Sequence, residues 1–98
     1  MPCEGGVSKL APEETVRLLG QVHGWELRDG KLVRTFKFGD FREAMRFVDR
    51  MAEVAEAEGH HPDFCVHYSR VDVTIWTHAI DGLSENDFIL AAKIDALV

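Results

Sequence analysis

The chain has 98 residues, enough for one domain and too few for a second core. Its composition, 46% hydrophobic and 29% charged, is that of a folded globular protein and not of a disordered one. The net charge of −6 argues against binding of nucleic-acid phosphates or of an anionic membrane surface, and no apolar run approaches the ~20 residues that span a bilayer.

The N-terminal residues show no pattern of a helix, a strand or a targeting signal. They lack a basic region followed by an apolar stretch, so we expect a loose tail over 1–9 and not a signal peptide. A single domain is predicted over 10–98. Cys3 and Cys65 are too few for a disulfide framework or a cysteine-rich zinc site, and we expect a protein of the reducing cytoplasm.

A short helix is predicted after the tail. Pro12 suits the first helical position, because the N–H that proline lacks has no partner there, and Gly20 can end the helix. The apolar side of this helix is expected to consist of Val16, Leu18 and Leu19.

A β-hairpin is predicted next, with strands over 25–28 and 31–38. Its turn is Asp29-Gly30, a pair that readily adopts the positive φ angles of a two-residue hairpin turn. One face of the second strand is apolar except for Arg34, and its apolar residues are Leu32, Phe36 and Phe38. The other face carries Lys31, Val33, Thr35 and Lys37.

The longest helix is predicted over 40–58. Asp40 is a favourable N-cap, Glu43 stands where a capping box needs it, and Gly59 can end the helix in the left-handed conformation. One stripe of this helix is apolar, with residues at helical spacing: Phe41, Ala44, Met45, Val48, Met51, Ala52 and Ala55.

A second hairpin follows a loop at His60-His61-Pro62, where proline disfavours helix at the residue before it. Its strands are predicted over 64–68 and 71–77, with the turn at Ser69-Arg70. Alternation places one set of residues on the face toward the core: Phe64, Val66, Tyr68, Val71, Val73, Ile75 and Thr77.

The last helix is predicted from its start, with Ser84 as N-cap and Asp87 at the capping-box position. Its packing side is expected to consist of Phe88, Ala91, Ala92, Ile94 and Leu97. The order α-β-β-α-β-β-α predicts an α+β fold, in which three helices cover one face of a four-stranded antiparallel sheet. A sheet this small leaves its edges uncovered, which favours association of several copies.

Histidines are concentrated in the second half of the chain. His60, His61 and His78 are expected to meet where a helix end faces a strand end. Because histidine can donate and accept a proton near neutral pH, this cluster favours acid–base catalysis. His67 is predicted on the outer sheet face and His23 in a loop, so both are interpreted as structural.

Other interpretations of this segment stay open. Three histidines could bind zinc, but adjacent side chains diverge and the usual ligand spacings are absent. A histidine at a helix end often only bonds the last carbonyls, which would explain His60 alone. Cys65 could be a nucleophile, but a position within a strand does not favour a thiolate, and a packing role is preferred.

The polar and aromatic neighbours also have two interpretations each. Glu56 could orient a histidine or be a solvated helix residue. Asp87 could face the site or act only in the capping box. Trp76 could support a flat ring or be an exposed aromatic residue of the outer sheet face.

Together these residues resemble the signature of the pterin-4a-carbinolamine dehydratase family, over roughly residues 10–97. The matching motifs are Glu56-x-x-x-His60-His61-Pro62, Thr77-His78 and Gly82-Leu83-Ser84-x-x-Asp87, with Gly24-Trp25 and Phe38-x-Asp40-Phe41 upstream. His-His-Pro combined with a later Thr-His pair is more specific than any one motif. One departure is Ala79, where animal members carry a glutamate.

The resemblance implies an enzyme that dehydrates 4a-hydroxytetrahydropterin to quinonoid dihydropterin and so recycles the pterin cofactor of aromatic amino-acid hydroxylases. It gives catalytic roles to His60, His61, His78, Glu56 and Asp87. It gives substrate contacts to Gly59, His60, His61, Pro62, Trp76, Thr77 and His78. We expect His61 and His78 to be the acid–base pair, with His60 positioning the substrate or making the second proton transfer.

The resemblance also bears on partners. No metal and no separate cofactor are expected, because the pterin is the substrate. A homodimer or homotetramer is expected, the tetramer forming through the long helix, where Phe41, Phe47 and Met51 are available for contacts. The alternative function is a non-catalytic pterin-binding or protein-assembly module on the same scaffold.

Overall fold

The structure, a computed structural model, describes residues 9–98, which form helices and one sheet. In chain order the elements are α1 (Pro12–Leu19), β1 (Glu26–Arg28), β2 (Lys31–Lys37), α2 (Phe41–Glu58), β3 (Asp63–His67), β4 (Arg70–Ile75) and α3 (Glu85–Asp95). A 3₁₀ turn, His78–Ile80, lies between β4 and α3. The predicted class and element order are confirmed. The predicted tail and Cys3 lie outside the described residues, apart from Lys9, which is exposed.

The sheet is antiparallel throughout, and its strands lie in the order β1-β2-β4-β3. The turn between β1 and β2 is Asp29-Gly30, with φ angles of 52° and 75°, as predicted. The central strand β4 packs against α2, which in turn packs against α3. The helices therefore cover the inner face, and the outer face carries the polar side chains of β2 and β4.

The core fills the space between the inner sheet face and α2 and α3. The Phe36 and Phe47 rings, from β2 and α2, lie 4.6 Å apart between centroids. The large side chains with under 2% exposure are Leu32, Met51, Ile75, Leu90, Ile94, Val71 and Val73. In α3 the structure corrects the predicted packing side, because Ala92 is exposed and Leu90 is buried.

The turn of the second hairpin differs from the prediction. His67 pairs with Arg70, so the turn residues are Tyr68 and Ser69 and not Ser69-Arg70. Tyr68 adopts a positive φ of 53° and is exposed, so it does not belong to the core face. The β-branched Val66, and not Tyr68, therefore lies opposite Val71. This shift of the pairing by two residues keeps the alternation of side chains between the two sheet faces.

The buried side of α1 also differs from the prediction. Val16 is 67% exposed, whereas Thr15 is buried and its hydroxyl donates to the Ala11 carbonyl at 3.2 Å. Thr15 precedes Leu18 and Leu19 by three and four residues, so it shares their side of the helix. Position on the helix, and not hydrophobicity, therefore decides which residue is buried.

The buried face of α2 is centred on Phe47. It consists of Ala44, Phe47, Val48, Met51 and Ala55, while Phe41 and Ala52 are exposed. Of the three residues expected to be available for a partner, only Phe41 is exposed. At the helix start the Glu43 N–H donates to Asp40 at 2.8 Å, but the Glu43 carboxylate accepts from the Gly39 N–H at 3.3 Å, so the predicted capping box is only half formed.

A polar cluster holds α3 to the first hairpin and explains the arginine on the apolar face. Arg34 forms an ion pair with Asp95 at 2.5 Å and donates to the His23 carbonyl at 2.7 Å. The Trp25 indole N–H also donates to Asp95, at 2.7 Å. Both charged side chains are mostly buried, so the cluster ties three distant parts of the chain together.

Replacing Asp95 by alanine is expected to lower the free energy of unfolding by ~1–3 kcal/mol, because it leaves the Trp25 N–H without its acceptor and the Arg34 guanidinium with only the His23 carbonyl. Urea denaturation followed by tryptophan fluorescence measures the change. Asp49→Ala, at an exposed position of α2, is the matched control and should change the midpoint little. An unchanged midpoint for Asp95→Ala would contradict the role of the cluster.

The end of α2 is tied to α3 just before the histidine segment. The Lys93 ammonium donates to Glu58 Oε2 at 2.6 Å. This hydrogen bond, with the attraction of the same charge, holds the pKa of the Glu58 carboxyl below its usual value. The contribution to stability is therefore present at neutral pH and is lost as the pH falls through that lowered pKa.

Candidate active site

The two histidines after α2 differ in exposure. Gly59 ends the helix in the left-handed conformation, with a φ of 65°. His60, the next residue, is only 6% exposed, whereas the His61 side chain is 62% exposed. Pro62 favours extended backbone at the residue before it, and successive side chains of extended chain point to opposite sides. The pair therefore divides into one core histidine and one surface histidine.

The buried histidine is bound to a buried carboxylate. His60 Nε2 forms a hydrogen bond with Asp87 Oδ1, and Asp87 has no exposed surface. Because a carboxylate oxygen only accepts, Nε2 carries the proton in this bond. His60 is thus held in one orientation and one tautomer by a residue of α3.

Asp87 uses its second oxygen for two further partners. Oδ2 accepts the backbone N–H of Ser84 at 2.8 Å and the hydroxyl of Thr77 at 2.9 Å. The predicted capping box of α3 is confirmed, and the same carboxylate also bonds the segment after β4. One buried group therefore joins His60 to Thr77 and brings their neighbours, His61 and His78, to the same end of the fold.

The exposed His61 has its own carboxylate partner. Its Nε2 lies 2.5 Å from Glu56 Oε2 in the last turn of α2, so this hydrogen bond also places the proton on Nε2. In the neutral form of the imidazole, the ring nitrogen Nδ1 then carries a lone pair. Glu56 contacts His61, as the orienting role requires, and its side chain is 76% exposed, as that of a solvated helix residue would be.

His61 and Glu56 line a small apolar cavity between α2 and the start of β3. The cavity has a volume of about 220 Å³, and its other lining residues are Met51, Ala52, Ala55, Pro62 and Phe64. Small-molecule sites are usually larger, at about 300–1,000 Å³. His60 and His78 do not line this cavity, so it encloses only the His61 side of the candidate site.

His78 lies beyond the end of β4, which is shorter than predicted, in the first position of the 3₁₀ turn. Its Nε2 is 3.9 Å from Asp63 Oδ2, which is too long for a hydrogen bond. Within residues 9–98 the structure records no hydrogen bond or ring stack between His78 and His61. Asp63, the acidic side chain recorded beside His78, lies two residues after His61 in the chain.

Trp76 stacks on His78. The two rings are parallel to within 9° and their centroids are 3.9 Å apart. The Lys31 ammonium also lies 4.0 Å from the centroid of the indole ring. With two neighbours against its ring, Trp76 would contact a bound flat ring through its edge unless one neighbour moved.

Three other candidates lie away from this arrangement. His67 is on the outer sheet face as predicted, with its Nε2 3.5 Å from Asp72 Oδ2. His23 lies in the loop after α1, and Cys65 is exposed on the edge strand β3. The structural interpretations of His67 and His23 agree with their positions, whereas the exposed Cys65 does not have the packing role that was expected for it.

Sequence reasoning missed two charged residues beside His78 and Trp76. Asp63 was not considered, although it directly follows the His-His-Pro loop and opens β3. Lys31 was assigned only to the outer face of its strand. Its proximity to Trp76 depends on the pairing of β2 with β4, in which Leu32 faces Ile75. Only the strand register could have revealed that contact.

Two kinds of feature are absent from the described residues, 9–98. Histidine, cysteine and acidic side chains there form no group of three that could hold a metal ion. None of the helices in this range is both long and apolar enough to cross a membrane.

The sequence matches a known family over almost its whole length. The sequence model of the pterin 4 alpha carbinolamine dehydratase family matches residues 8–97. A protein of Rubrobacter xylanophilus, provisionally named a pterin-4-alpha-carbinolamine dehydratase, is 51% identical over 98 residues, which is 99% of this chain and 92% of that protein. A provisionally named counterpart in Nitrosomonas europaea is 53% identical over 97 residues, with 98% of this chain and 86% of the relative covered.

Two solved structures share the fold. The transcriptional coactivator/pterin dehydratase of Brucella melitensis superimposes with a TM-score of 0.88 at 37% identity, covering 92% of this chain and 98% of that one. A pterin dehydratase-like protein identified as a RuBisCO assembly factor in the alpha-carboxysome gives a TM-score of 0.63 at 27% identity, covering 74% of this chain and 84% of that one.

Proposed function

The chain belongs to the pterin 4 alpha carbinolamine dehydratase family, and from this membership we propose that it removes water from 4a-hydroxytetrahydropterin to give quinonoid dihydropterin. The observation that carries the proposal is the buried network of His60, Asp87 and Thr77, which joins the two segments bearing the exposed histidines. A scaffold without chemistry has no need to hold two accessible imidazoles at one end of the fold.

The reaction needs one acid and one base. The 4a-hydroxyl leaves as water after it receives a proton, and the N5 lone pair forms the C4a=N5 double bond as the C4a–O bond breaks. A base then takes the proton from N5. No electrons are exchanged with another reactant, and the protein regains its starting protonation state when the two protons are exchanged between the catalytic groups and solvent.

We assign these two roles to the exposed histidines. His61 is the base, since the bond to Glu56 fixes the proton on Nε2 and leaves the Nδ1 lone pair to accept the proton of N5. His78 is the acid toward the 4a-hydroxyl. His60, held by Asp87, positions the substrate segment and does not transfer protons to solvent, because it is buried. Glu56 and Asp87 orient the two imidazoles that they bind.

The remaining contacts are assigned to the same two segments. Gly59 and Pro62 shape the loop that carries His60 and His61, and the apolar cavity beside His61 receives one part of the pterin ring system. Thr77 and Trp76 flank the other side. No metal or separate cofactor takes part in this proposal. A homodimer or homotetramer in the cytoplasm remains our expectation.

The test is the decay of the carbinolamine. An aromatic amino-acid hydroxylase generates 4a-hydroxytetrahydropterin, and its disappearance is followed spectroscopically with and without this protein. The proposal predicts faster decay at protein concentrations well below that of the pterin, with multiple turnovers. Decay at the uncatalysed rate over a hundredfold range of protein concentration would refute it.

A second candidate function is a binding or assembly module without catalysis. It is favoured by one observation, the structural similarity to the dehydratase-like RuBisCO assembly factor. That protein is 27% identical to this chain, so the similarity supports a shared scaffold more than a shared partner. This function predicts that the protein does not accelerate the decay in the assay above, whether or not it binds a pterin.

A further inference from the structure

Four side chains form a row across the outer face of the sheet at its active-site end. In order they are Lys31, Trp76, His78 and Asp63. Lys31 begins β2, Trp76 follows β4, and Asp63 begins β3. Because the strand order is β1-β2-β4-β3, Lys31 reaches Trp76 from one side of β4, whereas His78 and Asp63 lie toward the other. We call these residues the outer-face row.

Two members of the row, Lys31 and His78, contact the Trp76 indole. The Lys31 ammonium is 4.0 Å from the centroid of the Trp76 ring, and the His78 ring is 3.9 Å from it in a parallel stack. Because the stacked imidazole covers one face of the Trp76 indole, the other face is left for the Lys31 ammonium. The negative face of an indole attracts a cation, and an offset or parallel stack suits a second flat ring.

The orientation of His78 depends mainly on this stack. The His78 side chain is 62% exposed, and an exposed side chain is free to change rotamer. Asp63 is 3.9 Å away, beyond hydrogen-bond distance, so it attracts the imidazole without fixing its plane. The indole therefore determines the plane in which the His78 ring lies.

The indole has few recorded polar contacts. Trp76 is half-buried and packs against the core. Among the residues that the structure describes, its N–H has no hydrogen-bond acceptor, and the polar side chains against its ring are Lys31 and His78. Lys31 in turn forms no ion pair within residues 9–98, so its ammonium is available to the indole.

We propose that Lys31 is a positioning residue, which holds the Trp76 indole from the β2 side and through it orients the His78 imidazole for proton transfer. The proton transfer in this inference rests on the proposed function, whereas the orientation of the His78 ring is a property of the free protein. No contact of Lys31 with substrate is required. Lys31 lies on β2, which is farther from the His-His-Pro loop than β3 and β4, the other strands beside the row.

The test compares three variants. Lys31→Ala removes the contact, and Lys31→Arg keeps a cation that can lie over an indole. Lys37→Ala is the matched control. Lys37 lies on the same strand and the same face as Lys31, but at the far end, where it pairs with Arg70. Its replacement by alanine changes the net charge by the same amount. Circular dichroism verifies that all three variants are folded.

The first readout needs no substrate. The ring protons of His78, assigned by comparison with a His78→Gln variant, should show an upfield ring-current shift from the stacked indole in the wild-type protein. Lys31→Ala should reduce that shift, and Lys31→Arg should restore it, while Lys37→Ala leaves it unchanged. An identical His78 shift in Lys31→Ala and wild type would overturn the inference whether or not the protein is a dehydratase.

The second readout is kinetic. Lys31→Ala should lower kcat by about two- to fivefold, the range that loss of one exposed cation–π contact allows, while KM changes by less than about twofold. Lys31→Arg should recover most of kcat. Equal kcat values for Lys31→Ala and Lys37→Ala would overturn the positioning role. If the wild-type protein does not accelerate the decay at all, the proposed function fails, and the ring-current comparison still decides the inference.

Discussion

Replacing His61 by alanine is expected to lower the dehydration rate constant by ~10²-fold or more, the usual effect of removing a general acid or base. The imidazole is exposed and its only polar contact in the described structure is the bond to Glu56. The substitution therefore removes the base without opening the core. The measurement is kcat for decay of the hydroxylase-generated carbinolamine at saturating substrate.

His78→Ala should cause a loss of the same order, because the two residues act on the same substrate molecule. The matched control is His67→Ala, which removes another exposed histidine beside a carboxylate, on the outer sheet face. It should keep the wild-type rate. Unchanged rates in both the His61 and the His78 variants would contradict the assignment of the acid–base pair, even if the protein proves to be a dehydratase.

Replacing Asp87 by alanine is expected to lower the free energy of unfolding by ~3–5 kcal/mol, because it leaves buried donors without their acceptor, at a cost of about 1–3 kcal/mol each. The carboxylate accepts hydrogen bonds from the His60 ring, the Thr77 hydroxyl, and the N–H and hydroxyl of Ser84. The His60 and Ser84 N–H groups would be left in the interior without that acceptor. Because whole domains are stable by only about 5–15 kcal/mol, the variant should be close to unfolding at 37 °C.

Asp87→Asn keeps the size of the side chain and separates the effect of shape from that of charge. Its amide oxygen can still accept from Ser84 and Thr77, but its NH₂ group meets the N–H of His60, so a smaller loss of ~1–3 kcal/mol is expected. Glu85→Ala, in the same helical turn but exposed, controls for the helix dipole alone and should cost at most ~1 kcal/mol. Urea denaturation measures all three; equal midpoints for Asp87→Ala and Glu85→Ala would contradict the network.

The features that were predictable from sequence are those that depend on neighbours in the chain. Asp29-Gly30 marked its turn because few other pairs adopt two positive φ angles. Gly59 marked the left-handed end of α2, and Ser84 with Asp87 marked the start of α3. Each signal lies within three or four residues of the group that it satisfies, so no knowledge of packing was needed.

The errors arose where packing decides. In α1 the hydroxyl of Thr15 bonds within its own helix, so a polar residue occupies the buried side and Val16 is exposed. The second hairpin lacked a strong turn pair, and the turn moved by one residue to Tyr68-Ser69. Arg34 looked like an interruption of an apolar face, but its partner Asp95 lies far along the chain.

For the candidate site, the sequence singled out three histidines but did not predict which of them is buried. The motif placed His60, His61 and His78 near one another, yet it could not distinguish the buried ring from the exposed ones. That distinction follows from Asp87, which pulls His60 into the core through the same carboxylate that caps α3. Lys31 and Asp63 join His78 only through the pairing of β2 and β3 with β4.

Single-turnover decay of 4a-hydroxytetrahydropterin shows whether the two exposed histidines, His61 and His78, catalyse the dehydration. It is measured with wild-type protein and with a folded His61→Ala/His78→Ala double variant. We expect rapid decay with the wild-type protein, and decay at the uncatalysed rate with the double variant although its stability is unchanged. If the double variant keeps the wild-type rate, the two histidines are not the catalytic pair.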